Sequence, residues 1–273
     1  MSIFNNNEEE TENFLQAMKN SKVKIALFDS SKFQGEDLKA EFDKLAKETN
    51  KEFIYMKQQS DVVKTLQDIA KQVVTKQVSR SIVIDDYGTL PFMVIGKVKG
   101  TIVAQISDEH SAHMTSEHNG ATVITLGTKL SSYEDIINIS RKYLNEKFAA
   151  GRHLVRTDML VGKSVATKEA DFGVCICGTG VGISNAAQKT KGIRTSLVRD
   201  ASTARDARIN YNANVISFGG RITGVGLIQE IISEFINTKY VPTPEKEKII
   251  ADIDNLIKKE NFNEDMFDEE ISK

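Results

Sequence analysis

Short, continuously apolar runs alternate with stretches of helical period along most of this chain. That is the pattern of βα units around a parallel sheet covered on both faces. In the first half the predicted strands are Val23–Phe28, Glu52–Met56, Arg80–Asp85, Thr101–Ile106 and Thr122–Leu126. The predicted helices are Glu36–Thr49, Val62–Thr75, Glu109–His118 and Tyr133–Phe148. Together they make an α/β unit, a doubly wound, Rossmann-like parallel sheet of five strands. The second half offers three strands, Phe172–Ile176, Thr195–Val198 and Val215–Phe218, and then helices over Gly224–Asn237 and Pro244–Lys259.

The two halves are copies of one unit. At an offset of 92 positions and without a gap, Ile84, Gly88, Lys97, Lys99, Gly100 and Asp108 recur as Ile176, Gly180, Lys189, Lys191, Gly192 and Asp200. Ala112, Ala121, Val123, Ile124 and Gly127 recur as Ala204, Ala213, Val215, Ile216 and Gly219. Projected backwards, the offset places the partner of the first strand on Glu117–Gly120, which already belongs to copy one. The second copy is therefore expected to be truncated, lacking its opening β-α-β piece. The expected organisation is an acidic tail over 1–21, a complete unit over 22–160, a truncated unit over 161–260 and an acidic tail over 261–273. No linker separates the units, and Arg156–Glu169 is expected to run on as helix. An exposed flank on the truncated sheet is open to strand pairing, which predicts homo-oligomerisation or coverage by the C-terminal helix.

Composition narrows the class. The chain has 273 residues, 40% of them hydrophobic, and a formal net charge of −2, which builds a core and leaves no footprint for nucleic acid or an anionic membrane. Two cysteines spaced Cys-Ile-Cys make no disulfide framework and point to a reducing, cytoplasmic setting. No apolar run approaches a membrane span, and the polar start has no signal-peptide character.

The reactive residues sort by copy. All four histidines (His110, His113, His118, His153) lie in the first copy and both cysteines (Cys175, Cys177) in the second. The sharpest motif is Val174-Cys-Ile-Cys-Gly-Thr-Gly-Val-Gly182, a strand, a glycine-rich turn and a helix start. Backbone amides and the helix dipole at such a turn favour an anion. The thiol of Cys177 faces that dipole and can act as a base, while the plainer fate of a free cysteine, and the expected one for Cys175, is a buried small hydrophobe. The first-copy counterpart, Ile84-Asp-Asp-Tyr-Gly-Thr-Leu-Pro-Phe92, reads as a decayed cradle and an exposed acidic loop, or as an acid/base pair of Asp85 and Asp86. His118-Asn119, just before a strand, suits a general acid, whereas His110 and His113 fit a solvated helix face. Gly151-Arg-His-Leu-Val-Arg156 sets Arg152 and Arg156 on one helical face beside His153, suited to a phosphate dianion or to an ordinary basic face.

These motifs resemble the family of ribose-5-phosphate isomerase B and galactose-6-phosphate isomerase. Ile82-Val-Ile-Asp, Ser107-Asp-Glu, His118-Asn119 and Gly151-Arg-His-x-x-Arg-x-Asp-Met-Leu160 look like the A subunit of the latter. Gly173–Ile183, Leu197-Val-Arg-Asp200, Asn212-Ala-Asn-Val215 and Phe218-Gly-Gly220 look like its B subunit, so that about residues 22–258 are covered. The resemblance implies an aldose–ketose isomerase with a site shared between two subunits and with no metal or organic cofactor. It implies that Cys177 moves the proton, that Thr179 and the amides of Gly178, Gly180 and Gly182 stabilise the enediolate, and that His118 assists ring opening. Asn119 then lines the pocket, and Arg152, His153 and Arg156 hold the phosphate. One departure stands out: the first βα turn of the family is of the type Gly-Cys-Asp-His, whereas copy one reads Phe28-Asp-Ser-Ser31 and copy two lacks the segment. The leading expectation is conversion of D-galactose 6-phosphate to D-tagatose 6-phosphate. The alternatives are isomerisation of ribose 5-phosphate, disfavoured by Asp85 in place of a second cysteine, and a degenerate sugar-phosphate-binding protein without turnover.

Overall fold

A computed structural model describes residues 22–27, 38–57, 60–146 and 159–257. Strands β1 (Lys22–Leu27), β2 (Glu52–Lys57), β3 (Arg80–Asp85), β4 (Val103–Gln105) and β5 (Val123–Gly127) form a five-stranded parallel sheet in the order β2-β1-β3-β5-β4. Helices α1 (Leu38–Thr49), α2 (Val62–Val74), α3 (Thr89–Gly96), α4 (Glu109–Asn119) and α5 (Tyr133–Asn145) belong to this unit. The second unit runs α6 (Met159–Ala166), β6 (Gly173–Cys177), α7 (Val181–Gln188), β7 (Thr195–Leu197), α8 (Ala201–Tyr211), β8 (Val215–Gly219) and α9 (Val225–Asn237). Its sheet is parallel in the order β6-β8-β7, and α10 (Pro244–Asp254) follows it.

The repeat is structural down to its punctuation. Helices α3, α4 and α5 and strands β4 and β5 each recur 92 positions later as α7, α8, α9, β7 and β8. Asp108 caps α4 by accepting from the Ser111 amide at 2.7 Å, and Asp200 caps α8 from the Thr203 amide at 2.8 Å. Both helices end on a left-handed residue, Gly120 at φ 60° and Asn212 at φ 46°. Among the described residues the second unit has three strands, as expected of a copy lacking β-α-β.

The units pack about a pseudo-two-fold seam that the lysines define. Lys97 Nζ donates to the carbonyls of Gln188, Thr190 and Ile193, and its repeat partner Lys189 donates to those of Gly96, Val98 and Thr101. Each acceptor set is the other shifted by the same offset, so the bonding is reciprocal. Asn185 adds a strand-like bridge: its Nδ2 donates to the Val103 carbonyl at 2.7 Å and its Oδ1 accepts from the Val103 amide at 2.9 Å. Apolar residues of both units, among them Ile124, Phe92, Val181 and Phe218, join one continuous buried cluster.

Two expectations need correcting. The stretch Thr89–Gly96 forms a helix, α3, that apolar periodicity did not mark, because all eight of its residues are buried and no polar face exists to reveal a helical period. Of the two alternatives for the flank of the second sheet, homo-oligomerisation or coverage by the C-terminal helix, the described part of that helix, Pro244–Asp254, does not supply the second. It packs on α8 and α2 instead, held by Arg194 Nη1–Asp254 at 2.7 Å, and among the described residues β6 is the end strand, with Ile176 51% exposed. The stretch expected as helix over Arg156–Glu169 is helical over Met159–Ala166, and Arg156 itself lies outside the described residues.

Candidate active site

Strand β6 delivers Cys177 at its C-terminal end, where a turn through Gly178, Thr179 and Gly180 opens α7. Gly180 is left-handed at φ 82°, and a Cβ there would lie 2.7 Å from the Phe218 carbonyl carbon and from Leu197 Cδ1, so only glycine fits. This conformation turns the Gly180 amide onto Cys177 Sγ at 3.1 Å and the Val181 amide towards Thr179 Oγ1 at 3.3 Å. The N-cap residue of α7, Gly180, brings no side chain, so apart from Thr179 Oγ1 on the Val181 amide the positive end of the helix faces the turn, where it favours an anion. Cys177 is half-buried, whereas Cys175, on the same strand, is 1% exposed in the small core with Ala187 and Val215.

The first copy completes this turn. Asn119, the last residue of α4, accepts a hydrogen bond from Thr179 Oγ1 on its Oδ1 at 3.0 Å, and its Nδ2 would lie 3.6 Å from a Cβ at Gly182. The left-handed cap at Gly120 stops α4 at this point, and His118 beside Asn119 is half-exposed at the same helix end. His118 Nε2 stands 3.8 Å from Glu117, and His113 bridges Glu117 and Glu146 at 3.0 Å each, so His113 is a structural link on the helix flank. His110 is exposed. Arg152, His153 and Arg156 of the expected clamp, and Phe28–Ser31 of the first βα turn, lie outside the described residues.

Three charged residues without an assigned role also face the two turns. Arg221 lies against the Gly178 turn, with Cδ 3.7 Å from a Cβ built there. Arg199, at the end of β7, sends Nη1 to the Thr179 carbonyl at 3.4 Å, while its Nε and Nη2 are sealed from solvent without a partner. Asp206 of α8 belongs to the pseudo-symmetric turn of copy one. The repeat offset is the signal that finds them, because it sets Arg199 opposite Ser107, Arg221 opposite Lys129 and Asp206 opposite Met114.

The copy-one turn corrects the reading of a decayed, exposed acidic loop. Its fold is intact: Gly88 is left-handed at φ 78°, and the amides of Tyr87 and Gly88 donate to Asp85 Oδ1 as the Gly180 amide does to Cys177. Asp85 is buried rather than exposed, and burial raises its carboxyl to about 7 against the opposing pull of the Gly88 amide. Asp206 is raised by burial as well, with Asn210 and Thr89 opposing. Asp86, where the other copy has Gly178, pairs with Lys129 at 2.6 Å. The chain's own carboxylates thus fill one cradle, while the other presents a thiol, a hydroxyl and two guanidinium groups.

These features define a class: a duplicated α/β protein with one cysteine-bearing anion turn, finished by a side chain from the other copy. A model of the family described as ribose/galactose isomerase matches residues 30–160 and again 159–253. The chain belongs to that family. It is similar to galactose-6-phosphate isomerase subunit LacB of Clostridium acetobutylicum, 57% identical over 114 residues, which is 41% of this chain and 66% of that subunit. It is also similar to subunit LacA 2 of Streptococcus pyogenes, 40% identical over 128 residues, which is 46% of this chain and 90% of that subunit. Among solved structures, ribose-5-phosphate isomerase B of Clostridium thermocellum matches at 25% identity and a TM-score of 0.43, covering 55% of this chain and 99% of that one. Among the described residues no helix is long and apolar enough to cross a membrane, and no cluster of His, Cys, Asp or Glu could hold a metal ion.

Proposed function

We propose that this chain is a sugar-phosphate aldose–ketose isomerase, combining in one polypeptide parts that its LacA and LacB relatives carry as separately named subunits. The substrate is D-galactose 6-phosphate and the product D-tagatose 6-phosphate. Cys177, as thiolate, takes the proton from C2 of the open-chain aldose and returns it to C1. The hydroxyl proton on O2 leaves and one is gained on O1, so the reaction is redox-neutral within the substrate. Thr179 and the amides at the start of α7 hold the enediolate oxygens, because charge develops there only as the proton departs. His118 opens the ring, Asn119 positions Thr179 and the sugar, and Arg152, His153 and Arg156 take the phosphate.

The observation that carries this reading is the 3.0 Å bond between Thr179 and Asn119. It joins the turn that carries Cys177 in one copy to the helix end that carries His118 in the other, within a single chain. The self-filled turn at Asp85 supports one site per chain, since a sugar phosphate brought there meets Asp85, Asp86 and Asp206. The reading also places the protein in the cytoplasm, with homo-oligomers formed through surfaces other than the site. The test is turnover of galactose 6-phosphate and ribose 5-phosphate by purified protein, with Cys177→Ala and Cys175→Ala alongside. Loss only in the Cys177 variant, with the hexose preferred, is expected. Equal loss from both substitutions assigns the cysteines to packing and overturns it.

A further inference from the structure

We infer that the bare edge of the second sheet is a homodimer surface: β6 pairs antiparallel with β6 of a second copy across a two-fold axis, and α9 packs on its symmetry mate. The inference rests on the homo-oligomeric part of the function proposed above, which it deepens by naming the surface, and uses nothing of the chemistry.

Sheet edges are normally defended against pairing, and among the described residues three of the four end strands are. Strand β2 begins on Glu52 and ends on Lys57. Asn185 closes β4 by bonding both the amide and the carbonyl of Val103, and the Gln188 side chain accepts from the Thr195 amide of β7 at 2.6 Å. Strand β6, Gly173-Val-Cys-Ile-Cys177, carries no charge and no proline. The Gly173 amide donates to the Asn214 carbonyl on the β8 side at 2.9 Å, so by the two-residue alternation of a strand Val174 and Ile176 turn their backbone groups outward.

The repeat shows what these residues lack. Their counterparts Ile82 and Ile84 pair with β1, and Ile84 lines a small cavity with Leu38 and Phe42 of α1. Ile84 is 0% exposed against 51% for Ile176. Leu144 of α5, the helix on which α1 packs, is 4% exposed against 52% for its counterpart Ile236 on α9. Ile236 continues a stripe with Val225 and Ile232, at i, i+7 and i+11 on one face of α9.

A second copy fits this edge in one direction. Paired antiparallel about Cys175, Val174 of each chain lies opposite Ile176 of the other, and these outward-facing residues exchange both backbone bonds, four in all. Asp171, exposed just before β6, then meets the Gly178 turn of the other copy, where Arg221 is exposed, so unlike charges face each other twice. A parallel pairing sets like beside like and does not close about a two-fold. Phe172 packs edge-on against Phe235 with ring centroids 5.3 Å apart, which places α9 on the face that bears Val174 and Ile176. Two strand widths, about 10 Å, are the ordinary spacing of packed helices, so each α9 meets its mate over the joint. That contact is needed, because a five-residue strand pair alone falls short of the roughly 1,200 Å² of a stable interface.

The experiment reads mass and backbone exchange. Sedimentation velocity of the full chain is run from about 1 to 100 µM, with amide hydrogen exchange at Val174 and Ile176 over the same range. A dimer is expected, with protection at both amides that rises with concentration. Ile176→Lys should weaken association about 100-fold, since the two-fold counts each substitution twice. Should that variant not fold, Ile236→Lys on the exposed stripe carries the same test. Asp171→Arg and Arg221→Asp should each weaken the dimer about tenfold, and the two together should restore it. A dimer left intact by both lysine variants uses another surface and overturns this inference alone. Protection at Ile176 in a monomer means that a segment of the same chain covers β6, and overturns it as well. A charge swap that restores nothing overturns the antiparallel arrangement. A parent that stays monomeric with fast exchange at both amides removes the homo-oligomer too, while turnover of a sugar phosphate by that monomer keeps the isomerase reading.

Discussion

The reciprocal lysines of the seam make stability rise with pH in a range where most proteins are flat. Burial pushes Lys97 and Lys189 down to about 7 from an ordinary 10.5, because each ammonium is met by carbonyls and by no carboxylate in hydrogen-bond contact. In the unfolded chain both lysines keep their protons up to about 10.5, whereas the native protein releases them near 7. Between these values the unfolded state binds more protons, so the free energy of unfolding increases with pH. At pH 9 the difference is about two units per lysine, or about 3 kcal/mol at about 1.4 kcal/mol per unit. Lys97 is the more deeply buried of the two, and part of the fall at Lys189 is the charge of Lys97, so a total of about 4 kcal/mol is expected. Urea unfolding at pH 7, 8 and 9 measures it, as a rise in the midpoint at constant m-value. Asp85, raised to about 7, acts in the opposite sense but below this window, where its protonated form stabilises the fold at acid pH. In Lys97→Met the rise should fall by half or more, since the partner loses its repulsive neighbour as well. A midpoint flat or falling from pH 7 to 9, or a slope unchanged in Lys97→Met, refutes the charge assignment at the seam.

Further outcomes follow from single contacts. Gly180→Ala must adopt φ 82° and clear contacts at 2.7 Å, so it should cost about 2–4 kcal/mol in denaturant unfolding and abolish turnover. Asn119→Ala removes the acceptor of Thr179 and should lower kcat more than it raises KM, by a factor of about ten for one hydrogen bond in the site. Mixing Cys177→Ala with His118→Ala protein should restore no activity, because the turn and the helix end meet within one chain; recovery near a quarter of the parental rate would show swapped sites. Calorimetric titration with a sugar phosphate should give one site per chain, and a stoichiometry of two would mean that the Asp85 turn also binds.

The parts legible from sequence were those with a period or a copy. Buried parallel strands announce themselves as apolar runs, and the offset of 92 set Asp108 against Asp200, which the structure shows to be the caps of α4 and α8. Helix α3 escaped because burial on all sides erases the amphipathic signal. Asp85 was misjudged because residue type suggests exposure, whereas two backbone amides in a left-handed turn hold its carboxylate inside. Arg199 sat within a motif noticed for its likeness, but its burial and unpaired donors are properties of packing that no local pattern encodes. The likeness supplied roles for Arg152, His153 and Arg156, and the geometry supplied the meeting of Asn119 with Thr179.

The central claim is that Cys177, in a site completed by the first copy, moves a proton at C2 of a hexose phosphate. The direct measurement is incubation of galactose 6-phosphate with the protein in deuterium oxide, followed by NMR of the recovered sugars. Deuterium at C2 of the aldose and C1 of the ketose, formed by the parent and not by Cys177→Ala, is the predicted result. Isotope exchange that survives the loss of Cys177, or tagatose 6-phosphate formed without it, contradicts the assignment.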